Sequence, residues 1–238
     1  MKLMNILYEG VYDPGILKCI FLVGDPGSGK SFVMQQLFGV NDKIKFSRHG
    51  LKLITPDPSF EVLLKKNKID PSDLNKIYNN DKDYYDQTIE PLRMKAKNVS
   101  TNIERTFISQ KLGIILEGTG KNADSIIRLK ALMESNGYDC YMIFVNTNLK
   151  VAKIRNNMRS RTLPEEILEK LWYSAQENMG RLQSIFGSNN MFIIDNSNDG
   201  NLGSNITKTI DKFMRLPIKN KVGQDWVKHE LKRKNKNV

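Results

Sequence analysis

Residues 24–31 of the chain read Gly24-Asp25-Pro26-Gly27-Ser28-Gly29-Lys30-Ser31, which matches the phosphate-binding loop (P-loop) pattern G-x-x-x-x-G-K-[ST] at every required position. The glycines let backbone N–H groups turn inward around a phosphate, and the N-terminus of a following helix adds positive potential to the same site. We expect Lys30 to reach the β- and γ-phosphates and the Ser31 hydroxyl to hold Mg²⁺. All eight residues are predicted to bind a nucleoside triphosphate.

The flanking sequence has the periodicity that a P-loop requires. Residues 19–23 form a short apolar run that is typical of a strand, and residues 32–38 begin a helix without any breaking residue. The alternative is a glycine-rich turn that holds no ligand. The order strand, loop, helix favours the nucleotide site, because a chance match would lack that context.

Composition limits the class of protein. A chain of 238 residues with 39% hydrophobic and 26% charged residues fits one α/β domain with a core, or such a domain plus a small appendage. No apolar run approaches a membrane span and the N-terminus lacks a signal-peptide layout, so we expect a cytoplasmic protein. Cys19 and Cys140 lie in apolar runs and are predicted to be reduced core thiols. Two cysteines and two distant histidines make a zinc site implausible.

A large share of the formal net charge of +11 lies near the C-terminus. From Pro217 onward, seven lysines and arginines stand against only Asp225 and Glu230. One interpretation is a solvated and partly disordered tail, and the other is a contact with nucleic acid. Trp226 favours packing or stacking. We therefore divide the chain into a P-loop domain, residues 1–216, and a basic tail, residues 217–238.

Alternation of apolar and helical segments predicts the architecture. Further strands are expected at residues 50–55, 112–116, 141–145 and 191–194. Helical segments are expected at residues 60–66, from Asp70-Pro71, at 83–111, at 123–136, from Leu149 and from near Pro164, and a loop at 196–205. This order predicts a doubly wound, mostly parallel five-stranded sheet with helices on both faces.

Ligands of such sheets bind at the carboxyl ends of the strands, so the residues that follow each strand carry the chemistry. Asp57 follows the second strand and is predicted to deprotonate an attacking hydroxyl or to hold Mg²⁺ through water; the alternative is a Pro-Asp-Pro turn. Glu117 ends the third strand, where we expect a ligand of Mg²⁺ or of its waters. Thr119 is placed to contact a phosphate or the acceptor. The alternative is an exposed Glu in a glycine turn.

Three arginines follow the fourth strand. Arg155 and Arg159 are four residues apart and are expected to share one helix face, with Arg161 close behind. Such a cluster predicts an Arg-rich lid that folds over the triphosphate and stabilises the transferring phosphoryl group. The ordinary alternative is a solvated basic helix.

These residues together resemble the zeta-toxin-like branch of P-loop kinases, over roughly residues 18 to 200. The pieces that match are the loop ending in Lys30-Ser31, Ile54-Thr55-Pro56-Asp57, Leu116-Glu117-Gly118-Thr119, Gly137-Tyr138, the Arg-rich lid and Ile194-Asp195-Asn196-Ser197. The resemblance implies a nucleoside-kinase-like fold and an ATP:hydroxyl phosphotransferase that uses Mg²⁺. Asp57 matches the family's catalytic Asp and Thr119 its substrate-contacting Thr. Glu90 and Arg93, in the helix before the third strand, are expected to line the acceptor pocket.

The lid departs from the zeta toxins proper, which phosphorylate UDP-activated amino sugars and usually carry a glycine there. Here the lid reads Arg159-Ser160-Arg161-Thr162-Leu163-Pro164. With Trp172, Gln176 and Asn178 in the next helix, the chain looks more like the phage-encoded kinases of this branch. Some of those phosphorylate 5-hydroxymethyluracil in DNA, which would place the protein in a host cytoplasm and suit a basic tail.

The sequence thus predicts that Lys30 and the three arginines neutralise charge, that Ser31 and Glu117 hold Mg²⁺, and that Asp57 deprotonates the acceptor. ATP is taken over GTP because no guanine-reading motif is found. A UDP-sugar, nucleoside or nucleotide acceptor is the first alternative. A nucleic-acid-binding NTPase and a nucleotide-binding protein without turnover are the others. No oligomeric state is predicted.

Overall fold

The computed structural model describes residues 10–41, 46–159, 161–198, 202 and 204–235. Within them, five strands form one sheet in the order β2-β3-β1-β4-β5, and every pairing is parallel. The strands are β1 Lys18–Gly24, β2 Lys52–Ile54, β3 Ile114–Gly118, β4 Asp139–Asn146 and β5 Met191–Asp195. The predicted doubly wound, five-stranded sheet is confirmed, and each predicted strand overlaps an observed one.

Helices connect the strands and cover the sheet. Their bounds are α1 Lys30–Phe38, α2 Asp57–Lys66, α3 Leu74–Asn80, α4 Lys82–Tyr84, α5 Glu90–Ser109, α6 Ala123–Ser135, α7 Leu149–Asn157, α8 Glu165–Phe186, α9 Ser204–Arg215 and α10 Lys221–Asn235. The helix predicted at 83–111 is interrupted near its start by a π-helical turn, Tyr85–Ile89. Helix α9 begins inside the predicted loop at 196–205. Part of that loop, and Ser160 of the predicted lid, lie outside the described residues.

The central strand β1 is buried along its whole length, because helices cover both faces of the sheet. Side chains alternate between the faces, so Phe21 joins a cluster with α6 and α8, whereas Leu22 joins a cluster with α1 and α9. A third apolar cluster lies in the helices between β2 and β3. We call these helices, α2 to α5, the α2–α5 layer. Its buried side chains are Phe60, Leu64, Ile69, Leu74, Tyr85, Ile89, Leu92 and Ala96.

The segment after residue 216 forms helix α10, which packs on the sheet domain through Trp226 and Val227. The carboxylate of Asp139, the first residue of β4, accepts hydrogen bonds from the backbone N–H groups of Lys219 and Asn220 at 2.9–3.2 Å. Helix α10 therefore starts at the amino-terminal edge of the sheet, opposite to the P-loop. The observed packing is one of the two roles that Trp226 suggested. The division of the chain at residue 216 stays a prediction.

Cys19 and Cys140 are both buried free thiols, paired across β1 and β4. Burial raises the pKa of the Cys19 thiol well above its ordinary value. No helix in the described part of the chain is long and apolar enough to cross a membrane.

Candidate functional site

The P-loop joins the buried end of β1 to the start of α1. Gly27 and Gly29 have φ angles of 83° and 88°, in the left-handed region that favours glycine. A Cβ at Gly27 would collide with the backbone of Ala152, and one at Gly29 would collide with the side-chain amide of Asn196. The loop thus needs glycine at both positions for its backbone angles and for its close packing against neighbouring elements.

Lys30 is held against the P-loop backbone. Its Nζ donates to the carbonyl oxygens of Gly24 at 2.6 Å and of Asp25 at 3.1 Å. Burial lowers the pKa of Lys30, and attraction to Glu117 and then Asp25 opposes that change. A cation bound only to neutral carbonyl oxygens can exchange them for phosphate oxygens, because hydrogen bonds to a charged acceptor are stronger.

Two buried polar atoms of the P-loop have no hydrogen-bond partner in the described structure: Asp25 Oδ1 and Ser28 Oγ. Asp25 Oδ2 accepts a hydrogen bond from Gln176 Nε2 at 3.4 Å. Burial raises the pKa of Asp25 to about 7, against the opposing effects of Lys30 and Gln176. Native proteins rarely leave buried polar atoms unpaired, so these two indicate a place for a polar ligand or for water.

An open cleft of about 800 Å³ lies beside the P-loop. Seven predicted site residues outside the glycine-rich turn line it together: Lys30, Ser31, Asp57, Glu117, Arg155, Arg159 and Arg161. The ends of strands β1, β2 and β3, helix α7 and the segment that follows α7 bring them to one edge of the sheet, in agreement with the carboxyl-end rule for parallel sheets. Thr119, Glu90 and Arg93 are not among the residues that line this cleft.

Asp57 is the first residue of α2, with Pro58 in the second position of that helix. It thus lies in a helix N-terminus and not in an isolated Pro-Asp-Pro turn. Its carboxylate is half exposed and forms an ion pair with Arg161 at 3.1 Å. The side chain therefore lies at the positive end of the helix dipole, in the first turn of α2.

The three arginines are placed differently from one another. Helix α7 ends at Asn157, so Arg159 lies beyond it, and the expectation that Arg155 and Arg159 share one helix face is wrong. The helix stops early because Asn156 turns the chain back: its side chain accepts from the Leu163 N–H at 3.0 Å and donates to the Leu163 carbonyl at 2.9 Å. Both arginines nevertheless line the cleft.

Arg161 also contacts the α2–α5 layer. Its guanidinium lies 5.7 Å from the ring centroid of Phe60, and its buried Nη1 has no partner among the described residues. Arg93 lies 4.6 Å from the same ring and binds Glu90 at 3.2 Å and the Tyr85 hydroxyl at 3.0 Å. Phe60 therefore links Arg93, a predicted acceptor residue, to the ion pair at the cleft.

Side chains of helix α8 donate hydrogen bonds to residues at or just after the ends of β4 and β3. Trp172 Nε1 donates to the Thr147 carbonyl at 2.8 Å, and Gln176 Nε2 donates to Asn146 Oδ1 at 2.8 Å. Asn178 Nδ2 donates to the Gly120 carbonyl at 3.0 Å, just past Thr119. Thr119 itself directly follows β3 and is half-buried. The polar side chains of α8 thus support the loops around the cleft.

The residues present fit a magnesium ion that arrives with a nucleotide. Mg²⁺ prefers oxygen ligands and usually binds through one or two carboxylates together with substrate phosphates. Ser31 and Glu117 supply a hydroxyl and a carboxylate in the same cleft. The described residues contain no group of three or more His, Cys, Asp and Glu side chains that could hold a metal ion. One hydroxyl and one carboxylate would leave the remaining ligand positions of such an ion to substrate phosphates and water.

Two asparagines of the site were missed as site residues. Asn196 Nδ2 donates to the Ser28 carbonyl of the P-loop at 2.8 Å, and Asn156 anchors the lid segment. Asn196 follows β5 directly, so the carboxyl-end rule that selected Asp57 and Glu117 could have found it. Asn156 carries no such signal, since it lies inside a polar helix.

No protein-family model and no curated protein sequence matches the chain. Among solved structures, the chain is similar to a kinase candidate from Chloroflexus aurantiacus J-10-fl, with a TM-score of 0.52 and 12% identity, covering 82% of this chain and 97% of that one. It is also similar to a structure of the PezAT chromosomal toxin–antitoxin system of Streptococcus pneumoniae, with a TM-score of 0.55 and 14% identity, covering 98% and 91%. At such identities the likeness concerns the fold alone. The chain therefore shares with these two structures an α/β fold, in which its own all-parallel sheet carries the P-loop at the end of β1.

Proposed function

We propose that this protein is a kinase that transfers the γ-phosphoryl group of ATP to a hydroxyl acceptor. The observation that carries the proposal is the single cleft that contains the P-loop cation Lys30, the half-exposed carboxylate of Asp57 and the guanidinium of Arg161. Phosphoryl transfer needs little covalent chemistry from the protein and depends on positioning and electrostatic stabilisation. A P-loop, a base and a group of cations supply these together.

The nucleotide side of the reaction belongs to the P-loop. The backbone N–H groups of the loop and the N-terminus of α1 bind the β-phosphate, and Lys30 exchanges its carbonyl partners for phosphate oxygens. Ser31 and Glu117 hold Mg²⁺, which supplies charge neutralisation on the phosphate oxygens when bound. Arg159, which also lines the cleft, adds a further positive charge.

The acceptor side belongs to Asp57. Its carboxylate accepts the proton of the acceptor hydroxyl while the hydroxyl oxygen forms a bond to the γ-phosphorus and the bond to the β,γ-bridging oxygen breaks. ADP leaves with that oxygen. Arg161, which forms an ion pair with Asp57, stabilises charge on the transferring group once the acceptor displaces it from the carboxylate. Thr119, Glu90 and Arg93 are assigned to the acceptor.

For the acceptor we propose a hydroxymethylated base in DNA, supported by the net charge of +11 and the resemblance to phage-encoded kinases. A UDP-sugar or nucleoside is the alternative, which the resemblance of the motifs to the zeta-toxin-like branch implies. The position of helix α10 sets a minimum length for a DNA acceptor that contacts it. It docks at the start of β4, whose eight residues span roughly 26 Å. Only a polymer that extends past the sheet edge reaches both the cleft and the lysines of α10.

The test is transfer of labelled γ-phosphate from ATP to a panel of acceptors: duplex DNA with 5-hydroxymethyluracil, unmodified duplex DNA, nucleosides and UDP-sugars. Asp57→Asn is the test variant. Asp73→Asn, which removes a carboxylate from the α2–α5 layer away from the cleft, is the matched control. We expect label on the modified DNA, lost with Asp57→Asn and retained with Asp73→Asn. Label on a UDP-sugar or nucleoside overturns the DNA acceptor and keeps the kinase. Phosphate release that is independent of any acceptor overturns the kinase and indicates an NTPase.

A comparison of a long and a short DNA duplex tests whether helix α10 contacts the acceptor. Lys228→Glu with Lys232→Glu reverses two exposed charges one helical turn apart on α10. If DNA is the acceptor, we expect the double variant to raise KM for a duplex of about 40 base pairs and to leave a six-base-pair duplex unchanged, since phosphate contacts dominate non-specific affinity. Equal KM values for both proteins on the long duplex assign α10 a purely structural role.

A further inference from the structure

Asn196 connects the end of β5 to the P-loop. It follows the last residue of β5 and is only 5% exposed. Its backbone N–H donates to the Asn146 carbonyl at 2.8 Å, which continues the pairing of β4 and β5 by one residue. Its side-chain Nδ2 donates to the Ser28 carbonyl, also at 2.8 Å. A side chain fixed by the sheet thus holds one peptide group of the loop.

A second contact holds the preceding peptide group. Arg155 Nη1 donates to the backbone carbonyl of Asn196 at 2.9 Å and lies 3.5 Å from the carbonyl oxygen of Gly27. The carbonyl groups of Gly27 and Ser28 are therefore both directed toward the pair formed by Asn196 and Arg155. We call these two residues the P-loop clamp.

The orientation of a carbonyl group determines the orientation of the next N–H. In a planar trans peptide the C=O and the following N–H point in opposite directions. With the Ser28 carbonyl on Asn196, the Gly29 N–H points away from the clamp. Gly29 lines the cleft, and no acceptor in the described part of the chain takes a hydrogen bond from its N–H. Its φ of 88° and its contact with Asn196 leave no space for a side chain.

We propose that Asn196 is a positioning residue that holds the P-loop backbone in its phosphate-binding conformation, with the Gly29 N–H directed at the phosphate. Arg155 supports Asn196 in this role by donating a hydrogen bond to the backbone carbonyl of Asn196. The inference rests on the proposed function only in taking a nucleoside triphosphate as the ligand. It requires Asn196 to affect the binding of phosphates and not the binding of the nucleoside.

The experiment is calorimetric titration with ATP and with adenosine. Asn196→Ala removes the amide, and Asn196→Leu removes it while it keeps a side chain of similar size. Asn190→Ala is the matched control, because Asn190 donates its amide to the Phe186 carbonyl at the opposite edge of the sheet. We expect both Asn196 variants to bind ATP about tenfold to a hundredfold more weakly, since each leaves the buried Ser28 carbonyl unpaired. Adenosine affinity and the control variant should remain within about twofold of the parent chain.

Hydrogen exchange supplies a readout that a merely structural defect would not produce. Amides 27–31 should exchange faster in the Asn196 variants, whereas the amides of β1 and β4 should be unchanged. An equal loss of ATP and adenosine affinity overturns the proposal, and so does wild-type ATP affinity in Asn196→Leu. A parent chain that binds no ATP overturns it too. Intact ATP binding without transfer to any acceptor contradicts only the proposed kinase function, so the two failures are distinguishable.

Discussion

The two sides of the cleft are built differently. The P-loop side rests on the central strand of the sheet, between two apolar clusters, and its peptide groups are held by side chains from distant elements, Asn196 and Arg155 among them. The opposite side is the α2–α5 layer, which packs around its own apolar cluster. It reaches the cleft through Asp57 and through Phe60, which lies under Arg161 and Arg93.

Under the proposed function, this difference separates two tasks. Phosphate binding would depend on the backbone geometry of the P-loop, which the sheet edge and its neighbours hold. Acceptor binding would depend on side chains of the α2–α5 layer. The comparison predicts that damage to one side leaves the task of the other side intact.

Lys30→Ala is the sharpest test of the P-loop side. The substitution removes the cation that lies against the loop carbonyls, so we expect phosphoryl transfer to fall by about 10²–10³-fold, as for other groups that stabilise developing charge. The rate of labelled phosphate transfer under saturating ATP measures it. Lys76→Ala, at an exposed side chain on α3 that does not line the cleft, is the control and should transfer normally. A variant of Lys30 that keeps more than a third of the activity would contradict the assigned role.

Phe60→Ala tests the acceptor side. Phe60 is 2% exposed, and truncation of a buried Phe costs about 3–5 kcal/mol of stability. We expect faster hydrogen exchange in α2 and α5, lost phosphate transfer and unchanged ATP affinity. Hydrogen exchange and calorimetry measure these effects. Tyr173→Ala, at an exposed ring on α8, is the control. If ATP affinity falls together with transfer, the two sides of the cleft are not independent.

Asp25→Asn tests the P-loop side through the pH dependence of the free energy of unfolding. Burial raises the pKa of Asp25 to about 7, so between its ordinary value and pH 7 the folded protein binds a proton that the unfolded chain has released. This contribution to the free energy of unfolding therefore falls as pH rises through that window and stays low above it. At about 1.4 kcal/mol per pKa unit, the free energy of unfolding of the parent chain falls by about 2 kcal/mol between pH 5.5 and 8.5. The Asp25→Asn variant should lack this decrease. Denaturant unfolding at both values measures the difference. Identical pH profiles for the two proteins would refute it.

Asn156→Ala should have the smallest effect. Its side chain makes two hydrogen bonds with the backbone of Leu163, and their loss loosens the lid segment without removing any arginine. We expect KM for ATP to rise about threefold to tenfold, because a net hydrogen bond contributes about 1 kcal/mol. Tryptic cleavage at Arg159 and Arg161 should become faster. Asn79→Ala, at an exposed amide on α3, should change neither quantity.

The fold was predictable because its signals are local. Strand β1 reads as an apolar run, the loop as a glycine motif and the later strands as further apolar runs, and each signal lies within about ten residues of chain. The position rule for parallel sheets then selected Asp57 and Glu117 without knowledge of any contact. The end of α7 was not predictable in this way, because the bonds between Asn156 and Leu163 stop the helix before Arg159.

By itself the sequence determined a P-loop, a parallel sheet and a set of charged residues at one sheet edge. Only the tertiary structure decided how those residues pair. Asp57 forms an ion pair with Arg161, Asn196 holds a peptide group 168 residues away, and α10 docks at the far edge of the sheet. The physical reason is the distance along the chain over which each interaction acts. Periodicity and turn chemistry act between near neighbours in the chain, whereas these hydrogen bonds and ion pairs exist only where the packed sheet brings distant residues within about 3 Å of one another.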